Sequence, residues 1–288
     1  MERSKRSKKA MWYVLIVLLI LIVATVIFFK LPYSKTRIEF NKAVENKVTS
    51  IIKTTEVFTE DEIKNLPKPV QKYFKHCGYI GKEKMNYMKA EFKNVNFKMS
   101  PEKTISIDYT QYNFANKPDR FAFIDSSLFG IPFEGFDFYN DGVGSMKGTL
   151  AKVITLFDQR GEDMDKACLV TYLAESLMMP SAALQDFIFW EEIDETHAKA
   201  TINYYDITAS GIFTFDEDGL WQSFETSDRV ATSLDGSKRE ADWSAIIENY
   251  QEVNGILQPR VLKSIWNYPE GDFVYFNENN AYVTFEFK

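Results

Sequence analysis

Residues 89–100 read KAEFKNVNFKMS, and this stretch decides the fold class that the sequence predicts. Phe92, then Val95, Phe97 and Met99, alternate with polar residues, which is the period of a strand with one buried face. The odd spacing between Phe92 and Val95 predicts a β-bulge, because one extra residue restores the side-chain alternation. The stretch therefore predicts a long strand in a half-buried sheet.

The same alternation recurs along most of the chain. The further predicted strands lie at 105–109, 121–123, 136–139, 146–157, 198–204, 211–215, 220–224, 256–265, 273–276 and 282–287. Asn140-Asp141-Gly142 and the acidic run at 216–219 predict hairpin turns, because Asn, Asp and Gly tolerate the backbone angles of tight turns. Strands joined by consecutive hairpins predict an antiparallel sheet.

One apolar segment, residues 163–185, interrupts the strands. Asp163 or Asp165 can cap a helix there, and Pro180 ends or kinks it. The body of this helix, 167–179, is apolar on nearly every face, so we expect it to be buried. The fold class that follows is α+β, with a large curved antiparallel sheet covered on one face by a central helix.

Short helices are predicted upstream of the sheet. Thr59 followed by Glu62 forms a capping box, which marks a helix start. Pro69 suits the first turn of a second helix, which Gly78 ends. Between residues 36 and 56 apolar side chains recur at helical spacing, and we interpret this segment as a solvated stalk helix.

Residues 11–29, MWYVLIVLLILIVATVIFF, contain no charge. A helix of this length covers about 28 Å, close to the thickness of the hydrocarbon core of a bilayer. Trp12 and Tyr33 suit the two membrane interfaces. A cleaved signal peptide is the alternative, but no small-residue cleavage site follows the apolar run, so we predict an uncleaved anchor.

The charge on either side of this segment predicts its orientation. Residues 1–10 carry five Lys or Arg against one Glu, a net charge of +4, and the positive-inside rule keeps such a tail in the cytoplasm. The predicted organisation is a cytoplasmic tail (1–10), a transmembrane helix (11–29), a juxtamembrane stalk (30–58) and an extracytoplasmic domain (59–288). Because the whole chain carries −7, the remainder carries −11, which argues against nucleic acid as a partner.

Sequence signatures of catalysis, metals and cofactors are missing from the chain. His76 and His197 have no second histidine at ligand spacing, and no phosphate-binding loop or nucleophile elbow occurs. We therefore predict no metal, no cofactor and no catalytic residue, and we favour a non-enzyme. Cys77 and Cys168 leave two alternatives open, one disulfide or two unlinked buried thiols.

Several motifs resemble a bacterial family that contains a domain of unknown function. They are LPKPVQKYF at 66–74, YLAE at 172–175 followed by Pro180, the FDEDG turn at 215–219, and the segment 255–259 before Trp266. The resemblance covers roughly residues 60–280. It implies no established activity, and it suggests a curved-sheet cradle similar to that of lipoprotein-carrier proteins.

Glu175 is the first candidate for a functional residue. It lies in the predicted apolar helix, where an unpaired carboxylate would be costly, so it requires a cation or a proton. Arg229, Arg120 and Arg260 are candidate partners. We favour an ion pair that fixes the helix on the sheet over a catalytic acid. The reason is that the sequence shows no second carboxylate at a spacing that would pair it with Glu175 for catalysis.

Aromatic residues are the other functional signal, with 24 Phe, 15 Tyr and 5 Trp. They can form a packed core or line an apolar cavity. The candidate ligand-binding residues are Glu175, Arg229, Trp190, Trp266, Phe121 and Phe123. The predicted function is binding of a hydrophobic or amphipathic ligand, such as a lipid, or an envelope component by a membrane-anchored extracytoplasmic protein. The alternatives are a cell-envelope hydrolase or transferase that uses Glu175, and a structural interaction module; the ligand and any protein partner are unknown.

Overall fold

The structure is a computed structural model that describes residues 2–52, 55–232 and 237–288. The helices in this part of the chain are α1 (Glu2–Lys30), α2 (Lys35–Thr49), α3 (Glu60–Ile63), α4 (Lys68–His76), α5 (Glu162–Ala174) and α6 (Pro180–Ala183). The strands are β1 (Tyr87–Ser100), β2 (Lys103–Phe114), β3 (Arg120–Leu128), β4 (Ile131–Asn140), β5 (Val143–Leu150), β6 (Ile154–Gln159), β7 (Ile188–Glu192), β8 (His197–Tyr204), β9 (Ile207–Phe215), β10 (Trp221–Thr226), β11 (Val230–Thr232), β12 (Lys238–Glu240), β13 (Asp242–Glu248), β14 (Gln251–Val253), β15 (Ile256–Gln258), β16 (Val261–Tyr268), β17 (Gly271–Phe276) and β18 (Val283–Phe287).

One large sheet contains most of these strands, in the order β6-β5-β4-β3-β2-β1-β17-β16-β13-β10-β9-β8-β7, with β18 paired to the first half of β1. All of its neighbouring strands are antiparallel. The predicted α+β class with a large antiparallel sheet and a covering helix is confirmed. Two small hairpins, β11-β12 and β14-β15, stand outside this sheet.

The sheet curves until its two halves approach each other around α5. The rings of Tyr139 in β4 and Tyr204 in β8 are 6.4 Å apart. Gly142, in the turn after β4, lies so close to Tyr205 that a Cβ there would be 2.8 Å from the Tyr205 side chain. Helix α5 contacts β4 and β5 on one side and β8 and β9 on the other. The concave face of the sheet therefore forms a cradle with α5 inside it.

Two local features follow the sequence pattern. The pairing of β1 with β2 shifts register between Phe92 and Val95, as the odd spacing predicts. The turn between β4 and β5 lies at Asp141 and Gly142, whose positive φ angles of 48° and 85° suit a tight hairpin.

The strand predicted at 146–157 is wrong as a single element. It divides into β5 and β6 at residues 151–153, where Ala151 and Lys152 have φ angles of 51° and 66°. Neither residue type marks a turn in a sequence. The Lys152 ammonium donates to the carbonyl oxygens of Phe28 at 3.2 Å and Leu31 at 2.5 Å. The turn between β5 and β6 therefore has no turn-forming residues of its own, and it contacts the end of α1 instead.

The apolar segment at 163–185 also differs from its prediction. It forms α5 and the short α6, and the residue that precedes the first turn of α5 is Gly161. Asp165 lies inside that first turn, and its carboxylate accepts a hydrogen bond from the Gly144 amide at 2.6 Å. Glu175 is the C-terminal cap of α5, where the chain leaves the helix, and so lies at its end instead of inside it.

Helix α2 is packed on the sheet, which corrects the interpretation of a solvated stalk. Phe40 and Val44 are buried against the outer face of β3 and β4. The Lys47 ammonium pairs with Asp119 at 2.6 Å. Phe40 stands four residues before Val44, so both lie on one helix face, and that face meets a row of phenylalanines on the sheet.

The short helices before the sheet begin where the sequence predicts them. The capping box of Thr59 and Glu62 starts α3, and the predicted second helix is α4. Helix α1 runs unbroken from the tail through the apolar segment and is exposed there. By length and composition it is a candidate membrane anchor or signal sequence. Cys77 and Cys168 are both buried and unlinked.

Candidate functional site

A cavity of about 970 Å³ lies between the concave face of the sheet and α5. Strands β1, β2, β10, β13, β16 and β17 contribute its wall, and α5 with the segment before it contributes the opposite side. This volume is at the upper end of the range for small-molecule sites. The curvature of the sheet creates the cavity, because one helix does not fill the space between the two halves.

An aromatic wall lines one side of the cavity. Trp243 in β13 and Trp266 in β16 are direct cross-strand partners, so their side chains share the cavity face. Tyr275 in β17 extends the row, with its ring 6.3 Å from that of Trp266. The Trp243 indole donates a hydrogen bond to the Tyr275 hydroxyl at 3.1 Å. The wall is therefore apolar, and the polar atom of Trp243 is satisfied within it.

A second aromatic group continues the wall towards β1 and β2. Phe92 and Tyr109 each lie 5.3 Å from the ring of Phe276, and 5.9 Å from each other. Tyr109 is the last apolar ring before the polar end of the cavity, because its hydroxyl accepts a hydrogen bond from Arg120 at 2.6 Å.

An ion-pair cluster closes that polar end. Arg120, with only 3% of its side chain exposed, donates from Nε to Glu175 at 2.9 Å and from Nη1 to Asp137 at 2.6 Å. Gln111 and Asn113 donate to the same Glu175 oxygen, at 2.7 and 2.9 Å. These contacts join the end of α5 to β2, β3 and β4. The predicted ion pair of Glu175 is present, and Arg120 is its partner.

The electrostatics of the cluster keep Arg120 charged. Burial acts to lower the pKa of the guanidinium, but the Asp137 and Glu175 carboxylates outweigh it, so this pKa is raised well above its usual value. Burial raises the pKa of the Tyr109 phenol, and the positive charge of Arg120 opposes part of that rise. The cluster is thus a group of charges held in place by hydrogen bonds, suited to holding α5 on the sheet.

Arg229 lies on the aromatic wall. Its guanidinium carbon is 4.4 Å from the ring centre of Trp243 and 5.4 Å from that of Trp266. Its Nε is buried and has no hydrogen-bond partner among residues 2–52, 55–232 and 237–288. Burial raises the pKa of the Cys168 thiol on α5, and Arg229 is near enough for its charge to oppose that rise. Arg229 therefore brings a positive charge between the wall and α5.

The structure brings three of the predicted site residues together, because Glu175, Arg229 and Trp266 all line the cavity. Trp190 lies elsewhere, beside a smaller hollow of about 290 Å³, and its indole donates to the Ala183 carbonyl at 2.9 Å. In this place it packs on Phe213 in the core.

Phe121 and Phe123 lie on the opposite face of the sheet. They are buried beneath α2, where the Phe123 ring is 5.5 Å from Phe40. Side chains alternate along β3, so Arg120 and Ile124 face the cavity while Phe121 and Phe123 face outwards. These two phenylalanines, predicted as ligand-binding residues, therefore do not line the cavity.

Sequence reasoning missed Trp243, Tyr275 and Asp137 as lining residues. Trp243 lies in β13, whose sequence DWSAIIE has no clear alternation and was not predicted as a strand. Tyr275 and Asp137 belong to predicted strands, and their direction into the cavity depends on the pairing of those strands. In the described ranges, no group of three or more His, Cys, Asp or Glu side chains is placed to hold a metal ion.

A curved antiparallel sheet that holds a helix over an aromatic-lined cavity defines the class of protein as an α+β cradle. The model of a family of unknown function, DUF6544, matches residues 56–278, and the chain belongs to this family. The family resemblance seen in the sequence motifs is confirmed.

Comparison with solved structures finds a LolA superfamily protein from Nitrosomonas europaea. The two chains are 9% identical, with a TM-score of 0.36, and the similarity covers 75% of this chain and 91% of that one. Comparison with curated protein sequences finds no match.

Proposed function

We propose that this chain is a membrane-anchored binding protein that holds a hydrophobic or amphipathic ligand in the cradle cavity. The observation that carries the proposal is the cavity of about 970 Å³ lined by the Trp243, Trp266 and Tyr275 wall. Protein interiors are normally close-packed, so a space of this size inside a folded domain is typical of a ligand site.

The lining of the cavity favours an amphipathic ligand. Stable buried water needs several polar partners, and an aromatic wall offers almost none. The polar groups at the Glu175 end are already bonded to one another, which leaves the apolar wall to supply the binding energy. A long apolar chain that covers this wall fits the cavity better than a polar solute does.

The bilayer is the second partner in this proposal, through residues 11–29. Helix α1 is long and apolar enough to span a membrane and is exposed in the structure. By the positive-inside rule, the excess of cations in residues 1–10 favours a cytoplasmic N-terminus. The cradle domain then lies on the extracytoplasmic side.

The hairpin tips beside the end of α1 support this arrangement. The β5-β6 turn contacts α1 through Lys152, and the β3-β4 turn lies at the same end of the sheet. Phe129 is 100% exposed and Val153 70% exposed in these two turns. Large exposed apolar residues clustered next to a membrane helix are suited to insertion at the bilayer surface.

Filling the cavity tests the ligand proposal. Ser264 in β16 lines the cavity opposite Ala245, and both side chains are small. We expect the purified full chain to carry a bound lipid-like molecule in native mass spectrometry. Ser264→Trp should lose most of that molecule, because the indole occupies its space.

Ser106→Trp is the matched control, because Ser106 is an exposed serine of β2 outside the cavity. It should retain the ligand. A wild-type chain that is free of ligand under gentle conditions would favour the interaction-module alternative. If both variants retain the ligand equally, the ligand binds outside the cavity, on α1 or in the detergent around it.

Fluorescent labelling tests the position of the hairpin tips. Phe129→Cys, labelled with an environment-sensitive dye, should be quenched by lipids that carry a spin label when the full chain is in nanodiscs. Val143→Cys is the control, since Val143 is also exposed but lies at the opposite end of β4, about 30 Å away along the strand. Equal quenching at the two positions would contradict the arrangement.

A further inference from the structure

Five lysine and arginine side chains among the residues that the structure describes line the cavity, and four of them form an ion pair with a carboxylate. Within the described ranges, those that line it and pair with a carboxylate are Arg120 with Asp137 and Glu175, Lys263 with Glu248, Lys238 with Asp163, and Arg160 with Asp158. Arg229 has no such ion pair in this part of the chain. The cavity therefore contains a positive charge for which the described residues supply no counter-charge.

The position of Arg229 is fixed by its neighbour. The Asp228 carboxylate accepts hydrogen bonds from the Lys166 ammonium at 2.6 Å and from the Ser210 amide at 2.8 Å. The backbone before Arg229 is thereby tied to α5 and to β9. The guanidinium is then held on the Trp243 and Trp266 rings, and a group that is positioned in advance loses little freedom when it binds.

An aromatic contact alone does not account for this arrangement. Arg239 also stacks on a ring, 4.0 Å from the centre of Tyr268, and it pairs with Glu270 through both of its terminal nitrogens. Arg229 also stacks on aromatic rings, but the part of the chain that the structure describes supplies no carboxylate for its guanidinium and no acceptor for its buried Nε. A buried N–H donor gains stability when an acceptor reaches it, so an anionic group in the cavity suits Arg229.

We infer that the ligand of the cavity carries an anionic oxygen group, a carboxylate or a phosphate, which Arg229 binds. This inference rests on the proposed function. The planar guanidinium offers a fork of N–H donors that matches both groups. The apolar chain of the ligand then lies along the aromatic wall. The ligand class is an anionic amphiphile, such as a fatty acid or a lipid phosphate.

Competition labelling of the full chain tests this ligand class. The chain, in phosphatidylcholine nanodiscs, is photolabelled with a diazirine analogue of palmitic acid, and adducts are counted by mass spectrometry on peptides of β13 and β16. The competitors are palmitic acid, hexadecyl phosphate, methyl palmitate and inorganic phosphate. We expect the two anionic amphiphiles to compete about 10-fold to 100-fold more strongly than the methyl ester, as charge-assisted hydrogen bonds allow.

Variants assign the preference to Arg229. Arg229→Gln should bring the ratio between palmitic acid and its methyl ester close to one, whereas Arg229→Lys should keep part of it. Arg239→Gln is the matched control, an arginine that also stacks on a ring but lies outside the cavity, and it should keep the full ratio. Thermal unfolding of each variant checks that it is folded.

The outcomes separate this inference from the proposed function. Cavity labelling with no preference for anionic competitors in the wild-type chain overturns the inference and leaves the ligand cavity in place. No labelling of β13 and β16 overturns the proposed function itself. If inorganic phosphate competes as strongly as hexadecyl phosphate, the site binds a free anion, and the inference of an amphiphilic ligand is overturned. An unchanged ratio in Arg229→Gln removes Arg229 as the binding group.

Discussion

Arg120→Met is expected to lower the free energy of unfolding by about 3–5 kcal/mol, the usual effect of removing one partner of a buried ion pair. The substitution leaves two carboxylates, Glu175 and Asp137, without their cation, and their side chains are only 17% and 22% exposed. It also removes the donor to the Tyr109 hydroxyl. Urea denaturation of the variant and the wild-type chain measures the difference.

Arg239→Met is the control for this experiment. Its partner Glu270 is exposed, so the loss of that pair should change stability little. Adding Glu175→Gln to Arg120→Met should recover part of the lost stability, because one unpaired charge is removed while Gln111 and Asn113 retain an acceptor. An effect of Arg120→Met no larger than that of the control would show that the cluster does not hold α5 on the sheet.

The second large effect is expected from Phe40→Ala in α2. Phe40 is 6% exposed, and its ring lies 5.5 Å from Phe123 and 5.9 Å from Phe136. Truncating a buried phenylalanine lowers the free energy of unfolding by about 3–5 kcal/mol. In this chain the loss weakens the packing of α2 on the sheet. Hydrogen exchange of the α2 amides should become at least about a hundredfold faster, because such openings follow local stability.

Ile38→Ala provides the matched comparison on the same helix. Ile38 is 44% exposed, so its truncation should leave the exchange of the α2 amides nearly unchanged. Equal protection factors for the two variants would restore the interpretation of α2 as a solvated stalk.

Local patterns were readable in the sequence because they depend on neighbouring residues. The capping box at Thr59, the bulge after Phe92 and the turn at Asp141 each follow from a few adjacent side chains and their backbone preferences. Missed turns and strands lacked such signals. The turn at Lys152 has no glycine or proline, and β13 has no alternation.

The candidate site could be predicted only in part. The sequence points to Glu175, because a carboxylate in an apolar segment requires a partner, and it offers Trp266 and Arg229 as further candidates. Their proximity was not readable, since it depends on which strands pair. Phe121 and Phe123 were also candidates, but they lie on the other face of the sheet. The high content of aromatic residues predicts that such side chains are buried, and it does not predict on which face of the sheet they lie.

The sequence by itself determined the exposed apolar helix α1, the antiparallel character of the sheet and the buried segment of α5. These follow from composition and periodicity, which act over a few residues. Only the tertiary structure decided that Arg120 meets Glu175 across 55 positions, that Trp243 pairs with Trp266, and that the halves of the sheet enclose a cavity. The reason is that strand register and sheet curvature are set by contacts between distant segments, and a shift of one residue turns every side chain to the other face.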